Sequence, residues 1–523
     1  MYGQMNVNRK FVEAAEALRP SLHEAIIMPE MAVEVYADDQ AFHGWGVRQE
    51  HRFEEIKEMS FGKDDSFTLD FGDHRVGYIT LGITPVGSPP DAPLGLKLIF
   101  GEMPCEVAEP FDQYQGWLSR SWLQEETIYV DVLPTVIKLP RRYCFRYMKV
   151  IVLDTSRKYK VAFTDISCTT VTSADPSVLR RLPDHVSPEL QKLDQIGVRT
   201  LADCMQTVFE DGPKRDRRLW IGDLRLQALA SYYTFKNHDL VKRCLYLFAG
   251  MRLDGGEVGA CVFEKPHPHV DDTLLYDYSL LFVATLYDYY IESRDHEALT
   301  ELWPVAWEQL QIGLRRLDEN NIVRDDPSWW CFIDWHPDLN KQTSAQAVLI
   351  YCLKRGLLLA SALNLSDEQA QLVHAIEAAS TAAFTYLWDV DRGVFISGAD
   401  AQVSWASQIW MVLAEVRNQD ENATLLEHML HYPNPISMNT PYMYHHLIEA
   451  LILSGSKERA VEQLHYYWGG MIEDGADCFW ELYNPQDKSY SPYGSNLINS
   501  YCHAWSCTPT YFVRKYLSES KAN

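Results

Sequence analysis

The stretch Asp211-Gly-Pro-Lys-Arg-Asp-Arg-Arg-Leu-Trp-Ile-Gly-Asp223 places three carboxylates and a tryptophan at fixed spacing beside a helix-start signal. It lies early in the helical part of the chain, and its reading sets the fold of the residues beyond it. Asp211 and Gly212 read as a cap, and Pro213 suits a first turn because it lacks an amide hydrogen that would go unpaired there. At about 100° per residue, Asp216, Trp220 and Asp223 then share one stripe of the predicted helix, and Asp211 reaches the same place from the preceding loop. Acidic groups beside an aromatic ring suit a sugar, whose hydroxyls donate to carboxylates and whose C–H face packs on the ring. The bland alternative is a solvated turn in which Arg215, Arg217 and Arg218 pair with those acids.

Upstream the rhythm is that of strands. Short apolar or alternating runs at Ser66–Phe71, Gly77–Thr84, Leu94–Phe100, Thr127–Val132, Phe145–Leu153 and Ala162–Val171 predict a β-sandwich. The proline-rich Gly87–Pro93 stretch cannot continue a sheet and predicts a loop. Ser, Asp and Pro accumulate over Ser173–Ser187, which sets the expected division: an N-terminal segment 1–30, a sandwich 31–175 and a helical domain 176–523. Eleven helical patterns run from Pro188–Glu210 to Ser500–Leu517 and suggest paired helices closing into a ring, although they share no repeated motif. Loop tryptophans flanked by polar residues, as in Ser328-Trp-Trp-Cys-Phe-Ile-Asp-Trp335, are better cleft candidates than tryptophans on helix faces.

Composition narrows the function. The 523 residues carry a formal charge of −25, and so acidic a surface repels phosphate backbones and anionic lipids; neither nucleic acid nor membrane is an expected partner. The first residues hold no apolar run of secretory length, which predicts a cytoplasmic protein. Eleven cysteines scattered singly predict reduced, mostly buried thiols, with little support for disulfides or a zinc site. His267 and His269 sit in a proline-broken loop without a third ligand and read as an ordinary polar loop. Asp277 and Tyr278 read equally as cleft residues at a helix start or as a cap and a core tyrosine.

Cleaving a glycoside usually takes two carboxyl groups, one protonated and one ionised. Glu481, in Phe479-Trp-Glu481, precedes a Pro/Asn loop and offers a base against Trp480. His503 is placed at the positive start of the last predicted helix, within reach of a sugar hydroxyl.

The chain resembles the α-L-rhamnosidases of glycoside hydrolase family 78. The resemblance runs through Leu69–Tyr78, the 211–223 motif, Phe332-Ile-Asp-Trp335, Trp480-Glu481 and Cys502-His-Ala-Trp505. It implies a mainly α fold, an (α/α)6 barrel preceded by a β-sandwich, and an inverting exo-acting hydrolase with neither cofactor nor catalytic metal. It also implies roles: Asp216 as general acid, Glu481 as general base, Asp211 and Asp223 on rhamnose hydroxyls. Trp220, Asp334, Trp335, Trp480 and His503 are further substrate-binding expectations. Many relatives carry glutamate at the acid position, where this chain places Asp216 or, with a gap moved, Arg217; arginine cannot give up a proton at useful pH. An inverting pair stands roughly 6.5–9.5 Å apart to admit water. The expected substrates are short rhamnosides, and a homodimer is the base-rate expectation for a soluble enzyme. The alternatives are a phosphorylase of the same barrel type, which needs no base, and an inactive sugar-binding protein, suggested by the shortened acid.

Overall fold

The computed structural model describes residues 5–326 and 330–518. Ser328 and Trp329, part of the tryptophan-rich loop, lie outside the described residues. Nine antiparallel strands form a sandwich-like sheet: His23–Ile27, Met31–Ala37, Trp45–Arg52, Ser66–Gly87, Leu94–Gly101, Gln124–Val130, Thr135–Lys138, Tyr143–Asp154 and Tyr159–Thr172. Alternate residues such as Leu69, Phe71, Ile79, Leu81 and Ile83 face a core shared with Leu96, Leu98, Val150 and Phe163, as the two-residue period of a strand demands.

The runs expected as separate strands at 66–71 and 77–84 are one strand. Its first half pairs with Tyr143–Asp154 and its second with Tyr159–Thr172. The register shifts between Asp70 and Arg75, where Gly72 takes φ +79°, so a bulge rather than a chain break separates the halves. The strand ends at Gly87, and residues 88–93 form the expected loop.

In the helical region, Ile221–Tyr233, Tyr276–Ser293, Gln342–Ala362, Trp405–Leu413 and Pro441–Leu453 each pack on the next, and residues 504–512 touch both the last and the first. Outer helices His238–Gly250, His296–Leu314, Ser366–Ala382, Gln419–Leu430 and Lys457–Leu464 each lie against the inner helix before them. Gln342–Ala362 is apolar and long enough to cross a membrane, yet 67% of that apolar window is buried inside the protein, as befits a helix apolar on all sides. The structural repeat leaves a trace in buried glutamines. Gln227 donates to the Glu210 carbonyl, while Gln346 and Gln408 accept from the amides of Val323 and Phe395, each pinning a loop to an inner helix.

Four expectations need correction. No helix begins at Pro213: residues 211–218 form turns, and the helix starts at Ile221. The last predicted helix is broken into Ala504–Ser506, Pro509–Phe512 and Val513–Leu517. Gln419–Leu430 is an additional helix, which buries only Asn422, Leu425, Leu426 and Met429 and so shows little apolar periodicity. The N-terminal segment is divided, because Met5–Val7 pairs with Met251–Leu253 and Arg9–Ala17 packs on His238–Gly250, whereas His23–Ile27 joins the sheet.

Candidate active site

The turn at 211–218 is organised by Asp211. Its carboxylate accepts from the amides of Asp216 (3.1 Å) and Arg218 (3.0 Å), and its carbonyl accepts from Ala504 N (2.7 Å). A Cβ at Gly212 would overlap the Arg215 carbonyl oxygen, so glycine is required by close approach. The Arg215–Asp216 peptide is cis and Arg217 has φ +62°. The helical stripe inferred from spacing is therefore replaced by a tight loop that delivers Asp211 and Asp216 to the mouth of the helix carrying Asp223.

The basic residues of the motif do not form a solvated helical network. Lys214 is buried and donates to Glu106 (2.5 Å) and to the carbonyls of Leu497 and Asn499. Arg217 turns back onto Pro213 and Arg142 carbonyls. Arg215 donates to Ile498 O (2.7 Å) and Glu481 Oε2 (2.5 Å), with its guanidinium 4.2 Å from the Tyr493 ring centroid. Only Arg215 and Arg218 approach Asp216, at 3.9 and 3.7 Å.

Asp211, Arg215, Asp216, Arg218, Asp223, Glu481 and Tyr493 line a cavity of about 630 Å³ together with Trp220, Tyr278, Phe332, Asp334, Trp335, His503 and Trp505. Glu481 is buried, with Tyr493 OH donating to Oε1 at 2.6 Å and Ser500 N approaching Oε2 at 3.4 Å. Asp216 is partly exposed, and burial raises its pKa; Arg215 and Arg218 oppose that rise and Glu481 adds to it. Burial, and then Asp211, pushes Asp223 well above the usual carboxylate range. Burial holds His503 well below its ordinary value, with Arg215 acting in the same direction, so the imidazole is neutral at pH 7. Asp223 Oδ1, His503 Nδ1 and Trp220 Nε1 are buried without a hydrogen-bond partner. Leaving such atoms unpaired costs about 1–3 kcal/mol each, and three converging on one cavity mark where a polyhydroxylated ligand would bond.

Of the expected site residues, Asp211, Asp216, Trp220, Asp223, Asp334, Trp335, Glu481 and His503 all line the cavity. Trp480 does not. Its buried ring stacks on Phe42 at 4.5 Å and meets Tyr483 and Tyr501 edge-on, because adjacent side chains of a non-helical segment project to different sides. Asp334 is committed to the scaffold: it accepts from Trp335 N, Asn439 N and Thr440 Oγ1, and burial raises it to about 6 against those bonds. Asp211, likewise held by amides, is raised to about 8 by burial and by Asp216. Asp277 receives the amides of Phe332 and Ile333, and Tyr278 approaches Asp223 at 3.4 Å. The cavity also uses Arg215, Tyr493, Phe332, Trp505 and the sandwich-domain Trp117, none of them given a binding role from sequence, although Phe332 and Trp505 stand in the motifs that carry the resemblance. Arg215 was legible only as a neighbour of acids, and nothing local marks Trp117.

Behind the site, His74 joins sandwich to helices. Its ring lies 2.7 Å from Asp203 and 3.0 Å from Glu102, and Glu102 accepts from Tyr501 N. His74, Asp203, Cys478 and Cys502 each bring one donor atom within 4.8 Å of the others, a set of ligand types that zinc accepts. Because its members lie at 74, 203, 478 and 502, no spacing motif reveals it.

Residues 29–170 match the glycosyl hydrolase family 78 alpha-rhamnosidase N-terminal domain, and residues 186–517 the bacterial alpha-L-rhamnosidase 6 hairpin glycosidase domain. Among solved structures, a rhamnosidase from Klebsiella oxytoca with rhamnose bound is 48% identical, with a TM-score of 0.96 over 98% of this chain and 99% of that one. The family 78 rhamnosidase of Bacillus sp. GL1 is 20% identical (TM-score 0.74, covering 90% of this chain and 49% of that one) and shares the fold. So does the Streptomyces avermitilis α-L-rhamnosidase complexed with L-rhamnose, at 16% identity and TM-score 0.65, over 95% and 44% of the respective chains. No match was found among curated proteins. Fold, cavity and likeness over nearly the whole chain converge: this protein is a glycoside hydrolase that belongs to family 78, the α-L-rhamnosidases.

Proposed function

We propose that the protein is an inverting, exo-acting α-L-rhamnosidase that removes terminal rhamnose from small rhamnosides, with Asp216 as general acid and Glu481 as general base in an (α/α)6 barrel. The observation that carries this reading is the contrast between the two carboxyl groups on one cavity. Burial favours the protonated form of Asp216, whereas Glu481 is ion-paired with Arg215 and receives the Tyr493 hydroxyl. Each carboxylate oxygen keeps a second lone pair for water. Protonated Asp216 donates to the glycosidic oxygen while Glu481 takes a proton from water attacking the opposite face. The Arg215 guanidinium addresses Glu481 through one terminal nitrogen and Asp216 through the other.

The rhamnose bound to the Klebsiella oxytoca relative supports rhamnose as glycone. Asp223, His503 and Trp220, with their unpartnered atoms, would hold its hydroxyls. A phosphorylase would have no use for the clamped Glu481, and an inactive protein none for the raised pKa of Asp216. The free thiols, ten of eleven buried, suit the cytoplasm. The test is hydrolysis of p-nitrophenyl α-L-rhamnopyranoside followed by proton NMR, alongside other p-nitrophenyl sugars. Rhamnoside-selective release with β-rhamnose formed first is expected. First-formed α-rhamnose would overturn the inverting assignment, and phosphate-dependent turnover would favour the phosphorylase.

A further inference from the structure

The most exposed tryptophans among the described residues gather in one place. Among the described residues, the exposed tryptophans are Trp117, Trp330 and Trp335, at 66, 68 and 36%, and all three line the cavity that holds Asp216 and Glu481. Exposing an indole forgoes a large apolar burial, and three at one cavity call for a ligand that covers them. Trp117 comes from the sandwich, between Phe111–Gln113 and Arg120–Trp122, and it is anchored across the domain boundary. Its amide donates to Tyr493 O (3.1 Å) and its indole N–H to Pro492 O (2.9 Å), with its ring 5.7 Å from that of Tyr493. Trp335 meets the same tyrosine ring at 6.2 Å.

The cavity is therefore graded. Of its unpartnered polar atoms, those of Asp223 and His503 belong to buried residues, at 2 and 3% exposure, and Trp220 Nε1 is the buried edge of a half-buried ring. Polar side chains near the tryptophans are already engaged: Asn340 bonds Asp325 and Ser397, and Lys341 donates to Cys331 O. Hydroxyl recognition is thus concentrated at the base and flat apolar contact at the mouth. In an exo-acting enzyme the glycone occupies the base and the leaving group crosses the mouth.

We propose that Trp117 and Trp335, flanked by Trp330, form a leaving-group subsite that selects rhamnosides whose aglycone is a flat aromatic ring, and that the sandwich domain thereby sets aglycone specificity. This rests on the rhamnosidase reading above. The platform acts on binding, and its specificity residue, Trp117, touches the leaving group and not the reacting atoms.

The test measures affinity in a Glu481→Gln background, where turnover is blocked, by titration calorimetry with phenyl α-L-rhamnoside, methyl α-L-rhamnoside and a rhamnosyl-glucose disaccharide. The phenyl glycoside is expected to bind about tenfold tighter than the other two, the upper end of what aromatic stacking supplies. Adding Trp117→Ala should collapse that ratio to below about threefold, and Trp117→Phe should restore much of it by returning a ring without the indole N–H. Equal affinity for phenyl and methyl glycosides overturns the platform. So does a Trp117→Ala variant that weakens all three ligands alike, because that is what loosening residues 492–493 alone would do; a disaccharide that matches the phenyl glycoside replaces the aromatic preference with a sugar-binding one. If no rhamnoside binds, the rhamnosidase reading fails and the proposal with it. If the phenyl preference holds but the wild type turns nothing over, only the hydrolase reading fails.

Discussion

Two of the carboxyl groups that line the cavity, Asp216 and Glu481, are held in opposite ways. Asp216 sits on a tight turn, partly exposed, with only the looser approaches of Arg215 and Arg218 at 3.9 and 3.7 Å. Glu481 sits in an irregular segment, buried, with Arg215 and Tyr493 at 2.5 and 2.6 Å on its two oxygens. A loosely paired carboxyl raised by burial suits a proton donor, and one bonded on both oxygens is fixed in direction. In the proposed reading, environment, more than residue type, divides the labour: the 211–218 turn, drawn together by the Asp211 carboxylate, positions Asp216 without a helix beneath it.

The comparison can be broken first at its stronger end. Glu481→Gln is expected to lower kcat by about 10³- to 10⁴-fold on every rhamnoside, near the upper range for losing a general base, and loss of less than about tenfold would remove Glu481 from the mechanism. Arg215→Met leaves Glu481 buried without its ion-pair partner, and kcat/KM should fall by roughly one hundredfold. A loss of less than about fivefold would show that Arg215 does not hold the base. Tyr493→Phe removes one hydrogen bond to a charged acceptor and should cost about ten- to a hundredfold in kcat/KM, and a change below threefold would deny the clamp its second arm. The smallest effect sharpens the acid side. Because Asp216 is raised, kcat/KM should fall as pH rises through that raised value, the proton then being lost. Arg218→Gln removes a cation that opposes the rise, so this alkaline limb should move upward, and a downward move would contradict the assignment.

Much of the site was legible because its residues are few in kind and ordered along the chain. Asp211, Asp216, Asp223, Glu481 and His503 all reach the cavity. The route by which they get there was not legible. Cap and proline signals at 211–213 are local and predict a helix, but the turn is fixed by partners distant in sequence, among them Arg142, Glu106 and residues 497–499. Trp480 follows the same logic: its neighbour Glu481 faces the cavity, and Phe42, far away in the chain, claims the indole. Gln419–Leu430 is a different case, since Asn418 and Glu421 form a capping box that announces a start in sequence even where apolar periodicity is weak. The sandwich strands alternate plainly, but only the pairing register shows Ser66–Gly87 to be one strand.

The most direct test of the division of labour is the dependence of Asp216→Asn on the leaving group, measured as kcat/KM over aryl and alkyl rhamnosides of graded leaving-group acidity. A missing acid matters least where the leaving group needs no proton. The variant should therefore lie within about tenfold of wild type on the most acidic phenol and fall about 10³-fold or more behind on methyl α-L-rhamnoside, while Glu481→Gln stays uniformly impaired. Equal loss across the series in Asp216→Asn would contradict the account, because Asp216 would then be serving something other than protonation of the departing oxygen.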